Sequence, residues 1–277
     1  MSVAGGLHRA LERGEALRCG AVQIFVRSQL RWSAPPLSPA DAAHFRLGRK
    51  QTGIATVFAH ASYLVNLAAP GNTAWRRSVE SFTDEVERAE ALGLDFVVIH
   101  PGSHLGSGRE AGIRRVAAAL DEVVRRTAGY RVRIALENTA GGGDTLGRSV
   151  SELASMLRRT RHPERLGLCL DTCHLFAAGI DIRDATVYET VIQAVKTAVG
   201  LRSLLAFHLN DAGAALGSGL DRHQHIGKGH LGFAPFRHLL NDSRVAHVPK
   251  VLETPKQPEP LADRRNLAAL RRLRVVT

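Results

Sequence analysis

Residues able to hold a metal ion close one short apolar run after another in this 277-residue chain: His60, His100, Glu137, Asp171, His208 and Glu253. His174 follows Asp171 by three. Asp221 and His223 stand two apart, a spacing that turns both side chains the same way in extended chain. A lone His at such a place is ordinarily a hydrogen-bonded structural residue, and a lone Asp or Glu ordinarily caps the next helix. Six of them at the same end of six runs read differently. Burying several carboxylates close together is unfavourable without a cation to neutralise them. Imidazole mixed with carboxylate, with no obligatory thiolate, suits zinc, manganese or iron rather than calcium or a Cys-type structural zinc. Nine donors are too many for one tetrahedral ion, so two or three ions with bridging carboxylates are expected. Two ions roughly 3.5–4 Å apart form a clamp that supports in-line displacement at phosphorus.

Other chemistries find little support. Cys169 and Cys173 flank Asp171 but read as packing residues. With Cys19 they make three cysteines, an odd number, so structural disulfides are not expected and a reducing, intracellular setting is. No phosphate-binding loop of the Gly-x4-Gly-Lys-[Ser/Thr] type is present, and Gly141-Gly142-Gly143 reads as a plain loop. No strand-turn-helix elbow offers a serine nucleophile.

Something must bring residues about 200 positions apart into one pocket, and the pattern of elements supplies it. Strand-like runs are expected at Ala21–Val26, Ala55–His60, Asp95–His100, Val132–Glu137, Leu166–Asp171, Leu204–Asn210 and Val248–Glu253. Several are apolar on both faces, as strands of a helix-covered parallel sheet must be. Helical periodicity alternates with them at Leu7–Ala16, Ser78–Leu92, Gly112–Thr127, Ser151–Arg161, Asp184–Val199 and Leu261–Leu273. The fold class expected is α/β, a (β/α)8 TIM barrel lacking most of its first strand, as a single domain over residues 1–277. In such a barrel the C-terminal ends of all strands meet on one face, where the donors would converge.

Composition agrees. Apolar residues are 44% and aromatics 5%, so aliphatic side chains fill a large core. That excludes a disordered chain, a collagen-like fibre and a disulfide scaffold. No stretch approaches the roughly 18 apolar residues of a spanning helix, and no signal peptide is evident. The net charge is +11, spread along the chain and densest in the last helix (Arg264, Arg265, Arg271, Arg272, Arg274), whose pattern reads as an amphipathic outer helix. A polyanionic partner would suit that balance.

The donor residues and their neighbours resemble the endonuclease IV family of apurinic/apyrimidinic endonucleases. The resemblance rests on His60-Ala-Ser-Tyr-Leu-Val-Asn-Leu, His100-Pro-Gly-Ser-His, Leu136-Glu-Asn-Thr-Ala-Gly, Leu170-Asp-Thr-Cys-His-Leu-Phe-Ala-Ala-Gly, His208-Leu-Asn-Asp, Asp221-Arg-His, Ile226-Gly-Lys-Gly-His-Leu-Gly and Leu252-Glu-Thr, in the family's order. It implies a barrel with three metal ions, usually zinc, with manganese at some sites. His60, His100 and Glu137 would hold the first ion. Glu137, Asp171, His208 and Glu253 would hold the second, with Glu137 bridging. His174, Asp221 and His223 would hold the third. The implied reaction is hydrolysis of the phosphodiester 5′ to an abasic site in duplex DNA, leaving a 3′-hydroxyl and a 5′-deoxyribose phosphate. Cleaning of blocked 3′ ends is implied as well. Glu137 would orient or deprotonate the attacking water.

The loop Val26-Arg-Ser-Gln-Leu-Arg-Trp32 resembles a family loop that enters the minor groove. Arg27, Gln29, Arg31 and Trp32 are expected DNA contacts, Leu30 an apolar wedge and Tyr63 a second inserting residue. A monomer acting on DNA in the cytoplasm, at the nucleoid when bound, is expected, with no membrane association. Members of the family begin with a strand before the Ala-Gly-Gly segment, so the start at Met1 is expected to be internal to a longer reading frame. The rival expectations are a metal-dependent sugar isomerase or epimerase on the same barrel and an inactive DNA-binding relative.

Overall fold

The computed structural model describes residues 1–275. By internal contacts the chain forms two compact units: Met1–Leu136 with Met156–Gly167, and Glu137–Ser155 with Leu168–Thr277.

In the first unit helix α1 (Arg9–Ala16) precedes strand β1 (Ala21–Ile24), and then β and α elements alternate. They are α2 (Pro39–Thr52), β2 (Thr56–His60), α3 (Asn72–Leu92), β3 (Phe96–Ile99), α4 (Arg109–Arg126) and β4 (Arg133–Glu137), whose last residue opens the second unit. Among the described residues no strand precedes α1, as expected, and the amino group of Met1 donates to the Gln23 carbonyl on β1. β1 pairs with β2, β2 with β3 and β3 with β4, all parallel. Val97, Val98, Ile134, Ala135 and Leu136 are buried, as the two-sided apolar runs require. Phe58 on β2 stacks on Phe96 of β3 at 4.4 Å between ring centroids.

Local signals set the helix ends. α2 starts at Ser38, whose hydroxyl accepts the Asp41 N–H, with Pro39 in the first turn, and it stops at Gly53 with φ +64°. Its face buries little beyond Ala42 and Phe45, so its apolar period is faint and apolar spacing alone did not reveal it. α3 buries Val79, Phe82, Val86, Ala89 and Leu92, the spacing read from sequence, and begins six residues earlier than that spacing does.

The second unit holds α5 (Val150–Leu157) in part, β5 (Leu166–Asp171) from Leu168, α6 (Thr172–Ala177), α7 (Ala185–Ala198), β6 (Leu204–His208), the short strands β7 (Asp211–Ala212) and β8 (His223–Gln224), α8 (Ala234–Asn241), β9 (Lys250–Val251) and α9 (Leu261–Leu273). β5, β6 and β9 pair in parallel, with Asp171 beside His208 and His208 beside Val251. β7 and β8 pair antiparallel, a hairpin-like pairing absent from the sequence reading. Asp184 caps α7 by accepting the Thr186 and Val187 N–H groups. α9 coincides with the expected amphipathic helix, and among the described residues no helix is long and apolar enough to cross a membrane.

Candidate metal centre

Because the strands of each unit run the same way, their last residues lie along one edge. In the first unit that edge carries His60, which ends β2, and His100, which follows β3. Their rings meet edge-on at 5.3 Å between centroids. Tyr63 packs at 5.5 Å from His60 and 6.3 Å from His100, and Phe25 stands 5.6 Å from His60. His60 Nδ1 lies 2.7 Å from the Ala61 carbonyl. A carbonyl only accepts, so Nδ1 carries a proton.

Two connections leave these strands, and they are stitched together. Asn66 Nδ2 donates to Ser103 O at 2.9 Å, and Ser103 N–H donates back to Asn66 Oδ1 at 3.0 Å. Gly102 lies under this bracket with φ +101°, and a Cβ there would stand 2.1 Å from Asn66 Oδ1, so only glycine fits.

In the second unit the remaining seven donors gather. Glu137, Asp171 and His208 are fully buried and His174 is nearly so. His208 Nδ1 lies 2.7 Å from Glu137 Oε1, 3.1 Å from Glu253 Oε2 and 3.9 Å from Asp171 Oδ2. Glu137, Asp171, His208 and Glu253 place one ligand atom each within 4.8 Å of one another. A second group stands beside them. His174 Nε2 is 3.2 Å from Asp221 Oδ2, and His223 Nε2 is 3.1 Å from Asp221 Oδ1 and 3.5 Å from Asp171 Oδ2.

The hydrogen bonds on the far side of these rings decide what they face. His174 Nδ1 donates to the Asn138 carbonyl at 2.8 Å, and His223 Nδ1 faces the Glu253 carbonyl at 3.3 Å. Both Nε2 atoms, whose lone pairs would be free in the neutral rings, therefore point at carboxylate oxygens. Lone pair against anion is repulsive unless a positive charge lies between them, either a second proton or a metal ion. Protons give the same answer: burial opposes charge on His174, but Asp171, Asp221 and Glu137 outweigh it and push its pKa up to about 10. His223 is raised to about 9 against its own burial by Asp171 and Asp221. His208 is raised too, with burial opposing and Cys169, Glu137 and Glu253 prevailing. Asp221, its side chain half exposed, is held far below the usual carboxylate range by His174 and His223, against the partial loss of water around it. The donor set fits divalent cations, with the outer ring nitrogens fixed by carbonyls as ligating imidazoles usually are.

Residues that sequence reasoning passed over hold the donors in place. Asn210 is fully buried. Its Nδ2 donates to Asp171 Oδ2 at 2.6 Å, its Oδ1 accepts the Glu253 N–H at 2.8 Å, and its own N–H donates to Thr172 Oγ1 at 2.9 Å. Asn138 accepts the Asp171 N–H on its Oδ1 at 2.7 Å. Asp211, also buried, accepts N–H groups of Gly227, Gly229 and Leu231 and so shapes the Gly-Lys-Gly-His loop. The period-two rule could have found Asn210, which shares a strand face with His208. The thiols, expected as packing residues, are buried, and burial pushes Cys169 up to about 12 and raises Cys173; Cys169 Sγ nevertheless lies within 4.8 Å of ligand atoms of Glu137 and His208, and Cys173 Sγ of Asp221 and His223.

The expected DNA-contact residues separate. Leu30 is 83% exposed and Tyr63 59% exposed, both displayed to solvent. Gln29 lends its carbonyl to the Ser62 hydroxyl, which fastens the loop. Arg31 is exposed, and its carbonyl accepts from Arg27 at 2.9 Å. Trp32 lies under the Arg77 guanidinium at 4.2 Å, a loop anchor. Arg27 departs from expectation. Its side chain is 2% exposed and is paired with the equally buried Glu85, 2.6 Å from Nη2 to Oε1, and it also reaches Ser81. Glu85 in turn accepts the Ser62 N–H at 3.0 Å, so Arg27 fastens the loop and is not presented to a ligand.

The family described as xylose isomerase-like TIM barrel matches residues 11–273. A protein named "Probable endonuclease 4" from Oleidesulfovibrio alaskensis is 49% identical over 273 residues, 99% of this chain and 93% of that one. Its counterpart from Chloroflexus aurantiacus is 45% identical, covering 99% and 96%. The chain belongs to the endonuclease IV family. The crystal structure of endonuclease IV from Thermus thermophilus superposes with a TM-score of 0.87 at 39% identity, covering 99% of this chain and 96% of that one. The α/β barrel class read from the strand pattern is the fold of this family.

Proposed function

We propose that this endonuclease IV family member hydrolyses the phosphodiester on the 5′ side of abasic sites in double-stranded DNA, leaving a 3′-hydroxyl and a 5′-deoxyribose phosphate. The observation that supports this most is the second unit's cluster, in which His174 and His223 aim Nε2 at Asp221 while His208 faces Glu137 and Glu253. Three ions are assigned, zinc first and manganese at some sites. His60, His100 and Glu137 take the first; Glu137, Asp171, His208 and Glu253 the second; His174, Asp221 and His223 the third. Cations bound there supply Lewis acidity, acidifying an attacking water and neutralising charge that builds on the phosphate and the leaving 3′-oxygen.

The protein's own groups supply the rest. Glu137, fixed by His208 at 2.7 Å, orients the attacking water and accepts its proton. Leu30 and Tyr63 enter the duplex, where an abasic nucleotide lacks a base to stack and flips at lower cost than an intact one. Gln29, Arg31 and Trp32 shape the loop that presents Leu30. The protein works as a monomer in a single catalytic domain, in the compartment that holds the DNA. The same centre trims blocked 3′ ends.

The test is a duplex carrying one tetrahydrofuran abasic analogue, incubated with metal-loaded protein. That analogue cannot undergo β-elimination. One cut on its 5′ side with a 3′-hydroxyl product is the expected result. Turnover of a sugar with no DNA incision would assign the barrel to an isomerase instead. Glu137→Gln is expected to abolish incision and keep DNA binding; incision at the wild-type rate would remove Glu137 from the mechanism.

A further inference from the structure

Outside the donor cluster, the first unit carries a second concavity with its own chemistry. A groove of about 580 Å3 lies between α3 and α4, lined among others by Asn72, Trp75, Arg76, Ser107, Arg114 and Arg115. Three arginines line it, and among the described residues no carboxylate does. Trp75 forms a rigid wall: its indole N–H donates to the Arg115 carbonyl at 3.2 Å, and the Arg115 guanidinium lies 5.3 Å over its ring. Both terminal nitrogens of Arg115 reach Asn72 Oδ1, at 3.4 and 3.3 Å, whereas its buried Nε has no hydrogen-bond partner. The terminal nitrogens of Arg115, with the exposed Arg76 and Arg114, are the groups that give the groove its positive charge. Just outside, Glu110 is shared between Arg114 at 3.4 Å and Arg159 at 2.8 Å, so the surroundings keep an excess of positive charge.

The groove's place in the chain ties it to the proposed chemistry. Asn72 begins α3, at the end of the connection that leaves His60. Ser107 precedes α4, at the end of the connection that leaves His100. Those two connections are the ones bracketed by Asn66 and Ser103. The connections that leave His60 and His100 therefore run into the two helices that carry the arginines, α3 with Arg76 and α4 with Arg114 and Arg115.

We propose that this groove is an accessory site for the phosphodiester backbone of the duplex arm flanking the lesion. The proposal rests on the DNA reading above. Guanidinium forks match phosphate oxygens, and backbone contacts of this kind position a protein on DNA without reading sequence. They also predict length dependence, because a duplex that ends before the groove gains nothing from it.

The test measures binding to undamaged duplexes by fluorescence anisotropy across a range of KCl, with one duplex long enough to reach the groove and one too short. Undamaged DNA needs no incision, so this outcome is independent of whether abasic sites are cut. Arg76→Gln with Arg114→Gln changes two exposed side chains, and Arg115→Gln alone is the second variant. On the long duplex the double variant is expected to lower the slope of log K against log salt by about 2, at roughly 0.9 per lost phosphate contact. The long-over-short advantage should shrink in both variants. Slopes equal to the wild type, or losses equal on both lengths, would overturn the proposal. So would unchanged DNA binding together with binding of a polyglutamate peptide that the variants lose, which would assign the groove to an acidic protein partner.

Discussion

Asn210→Ala tests whether the donor set is held by its neighbours or only by an ion. The amide is fully buried and joins two candidate ligands, donating a hydrogen bond to Asp171 Oδ2 at 2.6 Å and accepting one from the Glu253 N–H at 2.8 Å. Truncation leaves a carboxylate oxygen and a backbone N–H without those partners. A buried group deprived of its hydrogen bond costs about 1–3 kcal/mol, more at a charged oxygen, so the metal-free protein should lose about 2–5 kcal/mol. Residues that orient ligands in this way are worth roughly 10–100-fold in metal affinity, and zinc should bind weaker by that factor in competition with a chelating dye. Asn210→Asp sharpens the test. It keeps the shape but sets a carboxylate oxygen where the amide nitrogen stood, 2.6 Å from Asp171. Two unit charges at that distance repel by about 6 kcal/mol at an effective dielectric near 20, so the pair should take up a proton and recover stability as pH falls. Urea denaturation of the metal-free protein at several pH values reads this directly. Zinc affinity within about twofold of wild type for Asn210→Ala, with no pH-dependent difference between the two variants, would refute the positioning role.

Two further outcomes follow from burial. Arg27→Ala strands Glu85, whose carboxyl is already pushed up by burial against the pull of Arg27, and the protein should lose about 3–5 kcal/mol in urea denaturation; a loss below about 1 kcal/mol is what an exposed pair gives and would show the site to be wet. In metal-free protein the raised pKa values of His174 (about 10) and His223 (about 9) mean that the folded state keeps protons the unfolded chain releases near 6.5. Their stabilisation is complete below about 6.5 and is lost as pH rises through about 9 to 10. Thermal midpoints on either side of that window should fall with rising pH after chelation, and zinc should flatten the fall; an unchanged slope on loading would place the metal elsewhere.

What could be read from the sequence, and what could not, divides along the range of the interactions. Strands β2, β3, β5 and β6 were legible because their two-sided apolar burial is written in consecutive residues. Six of the candidate donors stood out because each closes such a run, whereas His174, Asp221 and His223 were picked out by their spacing and by the resemblance. Arg27 was misread for the opposite reason. In the chain it is a polar residue in a polar loop, and its partner Glu85 lies 58 positions away on α3, so only the fold discloses that its charge is already matched. Asn138 and Asn210 escaped notice on the same ground: an amide resembles any loop amide until Asp171 is seen, 33 and 39 positions away, between them.

Asp171 shows why the two kinds of information cannot be separated cleanly. A lone Asp at a strand end is ordinarily a helix cap, and here it is one: its Oδ1 accepts the His174 N–H at 2.9 Å and starts α6. That bond uses one oxygen and points the following turn so that His174 rises toward Asp221. The other oxygen faces His208 and His223 and is steadied by Asn210. The ordinary reading and the metal-ligand reading therefore describe the two oxygens of one carboxylate. A residue that caps a helix with one oxygen has its remaining oxygen oriented by the backbone itself, which is how a short α6 of six residues fixes two candidate ligands, three positions apart, at once.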